Sequence, residues 1–110
     1  MSVVRIALPV PMRREFDYLI AGEQPAVGCR VRVPFGNRQM VGLVLSHAEQ
    51  STLDHTKLKA IAEVLDETPV MSGVLLKLCR WLSQYYQHPI GDVIFTALPV
   101  LLRKGEPATV

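Results

Sequence analysis

Two short segments near the start of the chain carry residue types that suit a nucleic-acid site. In Phe16-Asp17-Tyr18 a carboxylate stands between two aromatic rings, and in residues 29–38 arginine alternates with valine before a Pro/Gly turn. Aromatic faces for bases, cations for phosphates and a glycine that a backbone can approach are typical components of a single-strand site. A carboxylate repels phosphate, so Asp17 in such a site would face a sugar hydroxyl or a base edge. The combination favours a site for the end of a strand.

The same residues also have ordinary structural explanations. Phe16 and Tyr18 share one face of a strand by its two-residue period, as core residues do, and Asp17 would then face water. Arg30 and Arg32 would belong to the solvated face of a half-buried strand. Under the nucleic-acid hypothesis, the candidate phosphate contacts are Arg30, Arg32 and Arg38.

Size and composition describe a small globular protein. The 110 residues are enough for one domain with a real core and too few for a catalytic ATPase. Apolar residues make up 49% and charged residues 20% of the chain, which excludes a disordered protein. Residues 1–47 hold six arginines against three acidic residues, a net charge of +3, whereas residues 48–110 hold six basic and seven acidic residues, a net charge of −1. This distribution is a mild bias towards phosphate in the half that contains Asp17.

Signatures of common catalytic and metal sites are missing from the sequence. There is no P-loop, no dinucleotide fingerprint, no nucleophile elbow and no metal-ligand spacing among the three histidines. Cys29 and Cys79 form no zinc-site pattern, and we expect both to be reduced and structural, as in a cytoplasmic protein. The sequence also lacks a signal peptide and a membrane-spanning run. We therefore expect no catalysis, metal or cofactor in this chain.

The first two-thirds of the chain has the pattern of a β-sheet. Strands are predicted at residues 3–8, 16–20, 29–33 and 40–45, with a turn at 21–25 and a hairpin tip at Asn37-Arg38. Residues 58–65 fit a helix by propensity and a strand by alternation. We favour a strand there, because four strands with one basic face need another strand to close the sheet.

The remaining third is predicted to be helical. Ser72 is a good N-cap for a helix whose apolar stripe contains Trp81 and Tyr85, which we expect in the core together with Tyr86. Pro89 at a first helical position predicts a second helix that ends near Pro99. The fold class is thus α+β: a small curved, barrel-like antiparallel sheet of five or six strands over residues 2–66, followed by two packed helices over residues 70–98. We assign residues 1–103 to this domain and residues 104–110 to the start of a linker.

Five blocks of the sequence, in order, resemble the N-terminal 3′ DNA-end-binding domain of the PriA family of replication-restart helicases, the primosomal proteins N′. The blocks are Ala7-Leu8-Pro9-Val10-Pro11, Phe16-Asp17-Tyr18-Leu19, residues 28–36, residues 58–60 with 63–66, and residues 85–93 with Ala97-Leu98-Pro99. The resemblance implies a domain that holds the 3′ end of the nascent leading strand at a stalled fork without base preference. It assigns the end pocket to Phe16, Asp17, Tyr18, Gly36 and Lys59, with a ring of Phe16 or Tyr18 stacking on the terminal base.

The resemblance also implies a larger protein around this domain. Members of the family are ATP-dependent 3′–5′ DNA helicases of replication restart and repair, and they bind ATP, magnesium and zinc in portions that this sequence does not contain. Expected partners are forked DNA with a 3′-ended single strand, other primosome proteins and single-strand-binding protein.

A different function class remains open from the residues alone. A small β-rich module could bind a peptide in a groove of aromatic and arginine side chains. Peptide binding would depend less on salt than phosphate binding does, so salt dependence separates the two hypotheses.

Overall fold

The computed structural model describes residues 3–10, 15–20, 22, 24–48 and 58–98. The strands are β1 (Val3–Ala7), β2 (Phe16–Leu19), β3 (Arg30–Phe35), β4 (Arg38–Ala48) and β5 (Glu63–Val64), and the helices are α1 (Gly73–Tyr86) and α2 (Ile90–Ala97). The sheet has the order β2-β1-β4-β3-β5 with antiparallel pairing throughout. The predicted α+β fold with five strands and two helices is confirmed, although the sheet is not a closed barrel. The predicted linker at 104–110 lies outside the described residues.

The two faces of the sheet pack into two separate cores. Alternation along β1 sends Ile6 to one face and Ala7 to the other, as the period of a strand requires. The first core is formed by the concave face alone and contains Val4, Ile6, Phe16, Tyr18, Val31, Val33 and Val44. The second core joins the other face to the helices and contains Ala7, Val41, Leu43, Leu45, Leu76, Cys79, Ile94 and Phe95. We call the face that carries the helices the outer face.

Residues 59–65 are extended, which decides between the two structures that the sequence allowed. The Leu19 amide donates to the Lys59 carbonyl at 2.9 Å, and the Ile61 amide donates to the Leu19 carbonyl at 3.1 Å. Further along, the Ala62 and Leu65 amides donate to carbonyls of β3, each at 2.9 Å. The segment therefore contacts both β2 and β3, and only Glu63–Val64 pairs regularly enough to form a strand.

The β3–β4 hairpin turns one residue earlier than predicted. Phe35 pairs with Arg38, so the two loop residues are Gly36 and Asn37. Gly36 has φ 63°, a value that other residues rarely adopt, and glycine is the usual first residue of a two-residue hairpin loop of this kind.

Helix α1 begins as predicted, but its exposed face does not match the prediction. The Ser72 hydroxyl accepts a hydrogen bond from the Leu75 amide at 3.1 Å, which confirms the N-cap. Leu76 and Cys79 are buried against the sheet, whereas Trp81, Tyr85 and Tyr86 are exposed, so the prediction that these three rings lie in the core is wrong. Lys77, Arg80, Ser83 and Gln84 form the polar side of α1. The apolar side is broader than the part that meets the sheet, so spacing alone could not indicate which apolar residues would be buried.

Helix α2 begins one residue later than predicted, since Pro89 is its N-cap and not its first helical residue. Within the described ranges, neither helix has the length and apolar character needed to cross a bilayer.

Candidate nucleic-acid interface

Three chain segments meet at one end of the sheet: β2, the end of β3 and residues 59–61. The rings of Phe16 and Phe35 meet edge to face, with centroids 5.4 Å apart and an interplanar angle of 88°. The Tyr18 hydroxyl donates to the Pro34 carbonyl at 2.7 Å. The Leu19–Lys59 hydrogen bond joins residues 59–61 to β2. Phe16, Asp17, Tyr18 and Lys59 of the predicted pocket lie in these three segments, and Gly36 directly follows β3.

Phe16 and Tyr18 turn their rings into the concave core. Only 7% and 5% of their surfaces are exposed. This placement does not fit the expectation that either ring stacks on a terminal base, and it agrees with the structural explanation of these residues. Burial also raises the pKa of Tyr18 above its ordinary value, so its hydroxyl remains a neutral hydrogen-bond donor to Pro34.

Asp17 points to the outer face, opposite to its two aromatic neighbours. It pairs in register with Arg5 of β1, and the Arg5 Nε lies 3.5 Å from the Asp17 Oδ1. The Asp17 side chain is 13% exposed and that of Arg5 is 40% exposed. Asp17 is thus a partly buried carboxylate beside a cation, and not the fully solvated group of the ordinary explanation.

Arg5 is a component of this site that the sequence did not reveal. In β1 it is the one charged residue between apolar neighbours, and its burial is intermediate. A partly buried charge in an apolar strand indicates that a polar group lies beside it. Its relation to Asp17 depends on the register of β1 against β2, which no local motif encodes.

Gly36 and Lys59 flank the same end of the sheet at the surface. Gly36 is exposed in the hairpin loop, and a Cβ placed there would meet no other atom within 4 Å. The Lys59 side chain is exposed while its carbonyl holds β2. Gly36 therefore leaves its backbone open to a ligand, and Lys59 presents an ammonium group to solvent.

The three arginines predicted to contact phosphate differ in their surroundings. Arg30 is fully buried, and its Nε and Nη2 donate to the two carboxylate oxygens of Asp66 at 2.8 and 2.7 Å. Its amide donates to the same carboxylate at 2.9 Å. A guanidinium held in this way cannot reach a phosphate, so the assignment of Arg30 as a phosphate contact is corrected: it is a structural residue.

The Arg30–Asp66 pair is held in its charged form. Burial by itself would raise the pKa of Asp66, but hydrogen bonds from the Arg30 side chain and amide, together with the positive charge of Arg30, outweigh burial and lower that pKa. The hydrogen bond to Asp66 raises the pKa of Arg30. Both groups therefore remain ionised at neutral pH.

Arg32 and Arg38 are open to solvent. Arg32 is half-buried beside Glu63, with an Nε to Oε1 distance of 3.4 Å, and Arg38 is exposed next to the hairpin loop. Both side chains could approach phosphate from the surface of the domain, which remains a prediction.

Metal and thiol chemistry find no support among the described residues. No group of three or more potential ligands is clustered there. Cys29 and Cys79 are free and buried, and burial raises the pKa of each thiol, which keeps both in the unreactive protonated form.

Comparison with known proteins gives consistent matches. A family model described as the 3′DNA-binding domain (3′BD) matches residues 5–99. Replication restart protein PriA of Haemophilus influenzae is 42% identical over 109 residues, covering 98% of this chain and 15% of that protein. The PriA proteins of Buchnera aphidicola (subsp. Schizaphis graminum) and Bacillus subtilis are 33% and 40% identical, over 94% and 64% of this chain and 15% and 9% of their own lengths. The chain thus spans about 15% of the length of the first relatives it matches.

Proposed function

The chain belongs to the 3′DNA-binding domain family of replication restart protein PriA, and we propose that it recognises the 3′-hydroxyl end of a DNA strand without reading its bases. The domain is a DNA-binding module and is not itself catalytic, since it corresponds to only about 15% of its relatives. DNA is the ligand implied by the family, which favours this function over the peptide-binding alternative.

The observation that carries the proposal is the outward-facing Asp17 carboxylate at the meeting point of three segments. A 3′-hydroxyl is a hydrogen-bond donor, and an ionised carboxylate accepts such a bond strongly. An internal nucleotide has a phosphodiester at the same position, which the carboxylate would repel. Specificity for an end then arises from rejection of continuous strands as much as from attraction to the end.

The neighbours of Asp17 supply the complementary charges. Arg5 is half-exposed, so its guanidinium can pair with Asp17 and still approach a phosphate from the same face. Lys59 would neutralise the last phosphate, and Gly36 would let the strand approach the hairpin backbone. None of these groups reads a base edge, which suits a protein that must act at forks of any sequence.

In this proposal, Phe16 and Tyr18 hold β2 and the Asp17 carboxylate in position. Their contacts with Phe35 and Pro34 fix β2 against the hairpin, and the buried rings on either side of Asp17 determine which way its carboxylate points. Base stacking by these two rings is not part of the proposed mechanism.

The test is fluorescence anisotropy with one short oligonucleotide that ends in either a 3′-hydroxyl or a 3′-phosphate. We expect tighter binding of the hydroxyl end, by roughly tenfold or more, because a hydrogen bond to a charged group contributes about 1.5–3 kcal/mol. Asp17→Asn should reduce this preference in two ways: it weakens binding of the hydroxyl end, and it removes the repulsion of a phosphate end or a continuous strand. Asp92→Asn removes a carboxylate from the exposed side of α2 and serves as the matched control. An equal loss for ended and continuous strands in Asp17→Asn would refute an end-reading role.

We further propose that the domain acts within a longer cytoplasmic ATP-dependent DNA helicase, whose other portions bind ATP, magnesium and zinc and contact primosome proteins and single-strand-binding protein. In the full-length protein, forks with a 3′-hydroxyl leading strand should stimulate ATP hydrolysis more than forks with a 3′-phosphate. Asp17→Asn should abolish that difference and keep the basal rate. Equal stimulation by both forks in the unmodified protein would contradict the proposed coupling.

A further inference from the structure

The pairing of β1 with β2 holds two opposite charges side by side. The amide and the carbonyl of Leu19 bond to residues 59–61 and therefore point away from β1. By the two-residue period of a strand, the backbone groups of Asp17 point in the same direction. Arg5 and Asp17 are thus a narrow pair of the β1–β2 ladder, the kind in which opposite side chains approach most closely.

On its other side, Arg5 lies next to an irregularity of the sheet. Arg5 pairs with Ser46 and Ile6 pairs with Val44, so Leu45 is an extra residue of β4 and forms a β-bulge. Bulges bend a strand and redirect side chains, and they are common beside functional sites. Of the two residues that lie directly opposite Arg5 in the sheet, Ser46 is neutral and Asp17 carries the charge.

The Arg5–Asp17 ion pair is loose in comparison with the buried pair of the same residue types. The Arg30 Nη2 lies 2.7 Å from the Asp66 Oδ1, whereas the Arg5 Nε lies 3.5 Å from the Asp17 Oδ1. The Arg5 side chain is also 40% exposed. A long, partly solvated pair holds its guanidinium weakly, so an anion from solution can compete for it. Phosphate is the anion best suited to do so, because its oxygens match the planar guanidinium.

We propose that Arg5 is a specificity-determining residue of the end site, and that its ion pair with Asp17 sets which strand ends the site accepts. This inference rests on the proposed function for the position of the strand end. A 3′-hydroxyl donates to Asp17 and leaves the ion pair in place. A 3′-phosphate is repelled by Asp17 and must draw the Arg5 guanidinium away from it. Neutralising Asp17 would therefore release Arg5 and make the same site accept phosphate ends.

A double-mutant cycle tests this role, with anisotropy measured for one oligonucleotide ending in a 3′-hydroxyl or a 3′-phosphate. In Asp17→Asn, the ratio of hydroxyl-end to phosphate-end affinity should fall to one or below, because the phosphate end gains Arg5. Adding Arg5→Gln to Asp17→Asn should lower phosphate-end affinity roughly tenfold or more, the usual effect of losing a hydrogen bond from a charged group. Arg5→Gln alone should increase the preference for the hydroxyl end, since no cation from β1 would then offset Asp17.

Two further measurements separate this role from a structural one. Arg5→Lys in the Asp17→Asn background keeps the charge and should restore most of the phosphate-end affinity that Arg5→Gln removes. Asp17→Asn should also steepen the salt dependence of phosphate-end binding by roughly 0.7, as expected for one gained phosphate contact on a single strand, and leave that of the hydroxyl end unchanged. This second measurement requires no change at Arg5.

Arg32→Gln is the matched control. The Arg32 side chain is 34% exposed and its Nε lies 3.4 Å from the Glu63 Oε1, so it belongs to a surface ion pair of similar length and exposure on another strand. This variant should change the affinities for both ends by the same factor and leave their ratio unaltered.

The outcomes distinguish this inference from the function on which it rests. Equal phosphate-end affinity of Asp17→Asn and the double variant, with an unchanged salt dependence, would overturn the role of Arg5. A hydroxyl preference that persists in the unmodified domain would then leave the proposed function intact. No preference between the two ends in the unmodified domain would refute the end-reading function, and this inference with it.

Discussion

Replacing Asp66 by asparagine should lower the free energy of unfolding of this domain by about 3–5 kcal/mol, the usual effect of removing one partner of a buried ion pair. The side chains of Arg30 and Asp66 are 1% and 6% exposed and share two short hydrogen bonds. Asparagine keeps the shape of the site but removes the charge, so the Arg30 guanidinium would remain buried and uncompensated. For a domain of this size, the melting temperature should fall by roughly 10–20 °C.

Glu63→Gln is the matched control for this change. Glu63 pairs with Arg32, which lies two residues from Arg30 on the same strand. The Arg32 Nε lies 3.4 Å from the Glu63 Oε1, and this ion pair is at the surface. An exposed ion pair contributes about 0–1 kcal/mol, so the control should unfold almost like the unmodified domain. Urea denaturation followed by circular dichroism measures both variants under the same conditions.

The pH dependence of unfolding tests the same ion pair without a large loss of structure. The pKa of Asp66 is lower in the folded domain than in the unfolded chain, so its contribution is complete above the unfolded pKa of about 3.9. That contribution disappears as the pH falls through the folded pKa. The unmodified domain should therefore lose stability in acid, and the difference between it and Asp66→Asn should narrow there. A difference of less than about 1 kcal/mol at neutral pH, or one that stays constant into acid, would refute the assignment of Arg30 as a buried structural residue.

Two further substitutions change Lys59 and Gly36: the first tests DNA binding, and the second tests the stability of the hairpin turn. Lys59→Ala should weaken binding of all strands and reduce the slope of log affinity against log salt by roughly 0.7, as expected for one lost phosphate contact on a single strand, and an unchanged slope would exclude Lys59 as that contact. Gly36→Ala should destabilise the hairpin by about 1–2 kcal/mol in urea unfolding, because φ 63° is unfavourable for alanine, whereas Asn37→Ala in the same loop should cost less. Equal stability of the two hairpin variants would contradict the strain argument.

The local pattern predicted the elements of this fold well because the forces that form them act over a few residues. Alternating or continuous apolar runs bounded by Pro and Gly predicted all four longer strands, and Ser72 predicted the start of α1. Residues 58–65 could be predicted only by considering what the sheet needed, since their propensity favours a helix while their hydrogen bonds to β2 and β3 hold them extended.

The roles of the arginines could not be predicted because their partners are distant in the sequence. Arg30 and Arg32 look equivalent in an alternating strand, yet Arg30 meets Asp66, 36 residues away, and is buried. Arg5 resembles an ordinary strand residue, and only the pairing of β1 with β2 places it beside Asp17. Charge patterns identify the half of the chain that carries the site, but tertiary structure decides which cation is available to a ligand.

End recognition in this domain depends on strand register as much as on the residues of the site. Asp17 points outward because Phe16 and Tyr18 occupy the concave core on either side of it. A shift of β2 by one residue would exchange the two faces, burying the carboxylate and exposing both rings. The Phe16–Phe35 contact and the Tyr18–Pro34 hydrogen bond oppose that shift by tying β2 to the β3–β4 hairpin. The aromatic residues that looked like stacking platforms in the sequence would then serve recognition by fixing the direction of a carboxylate.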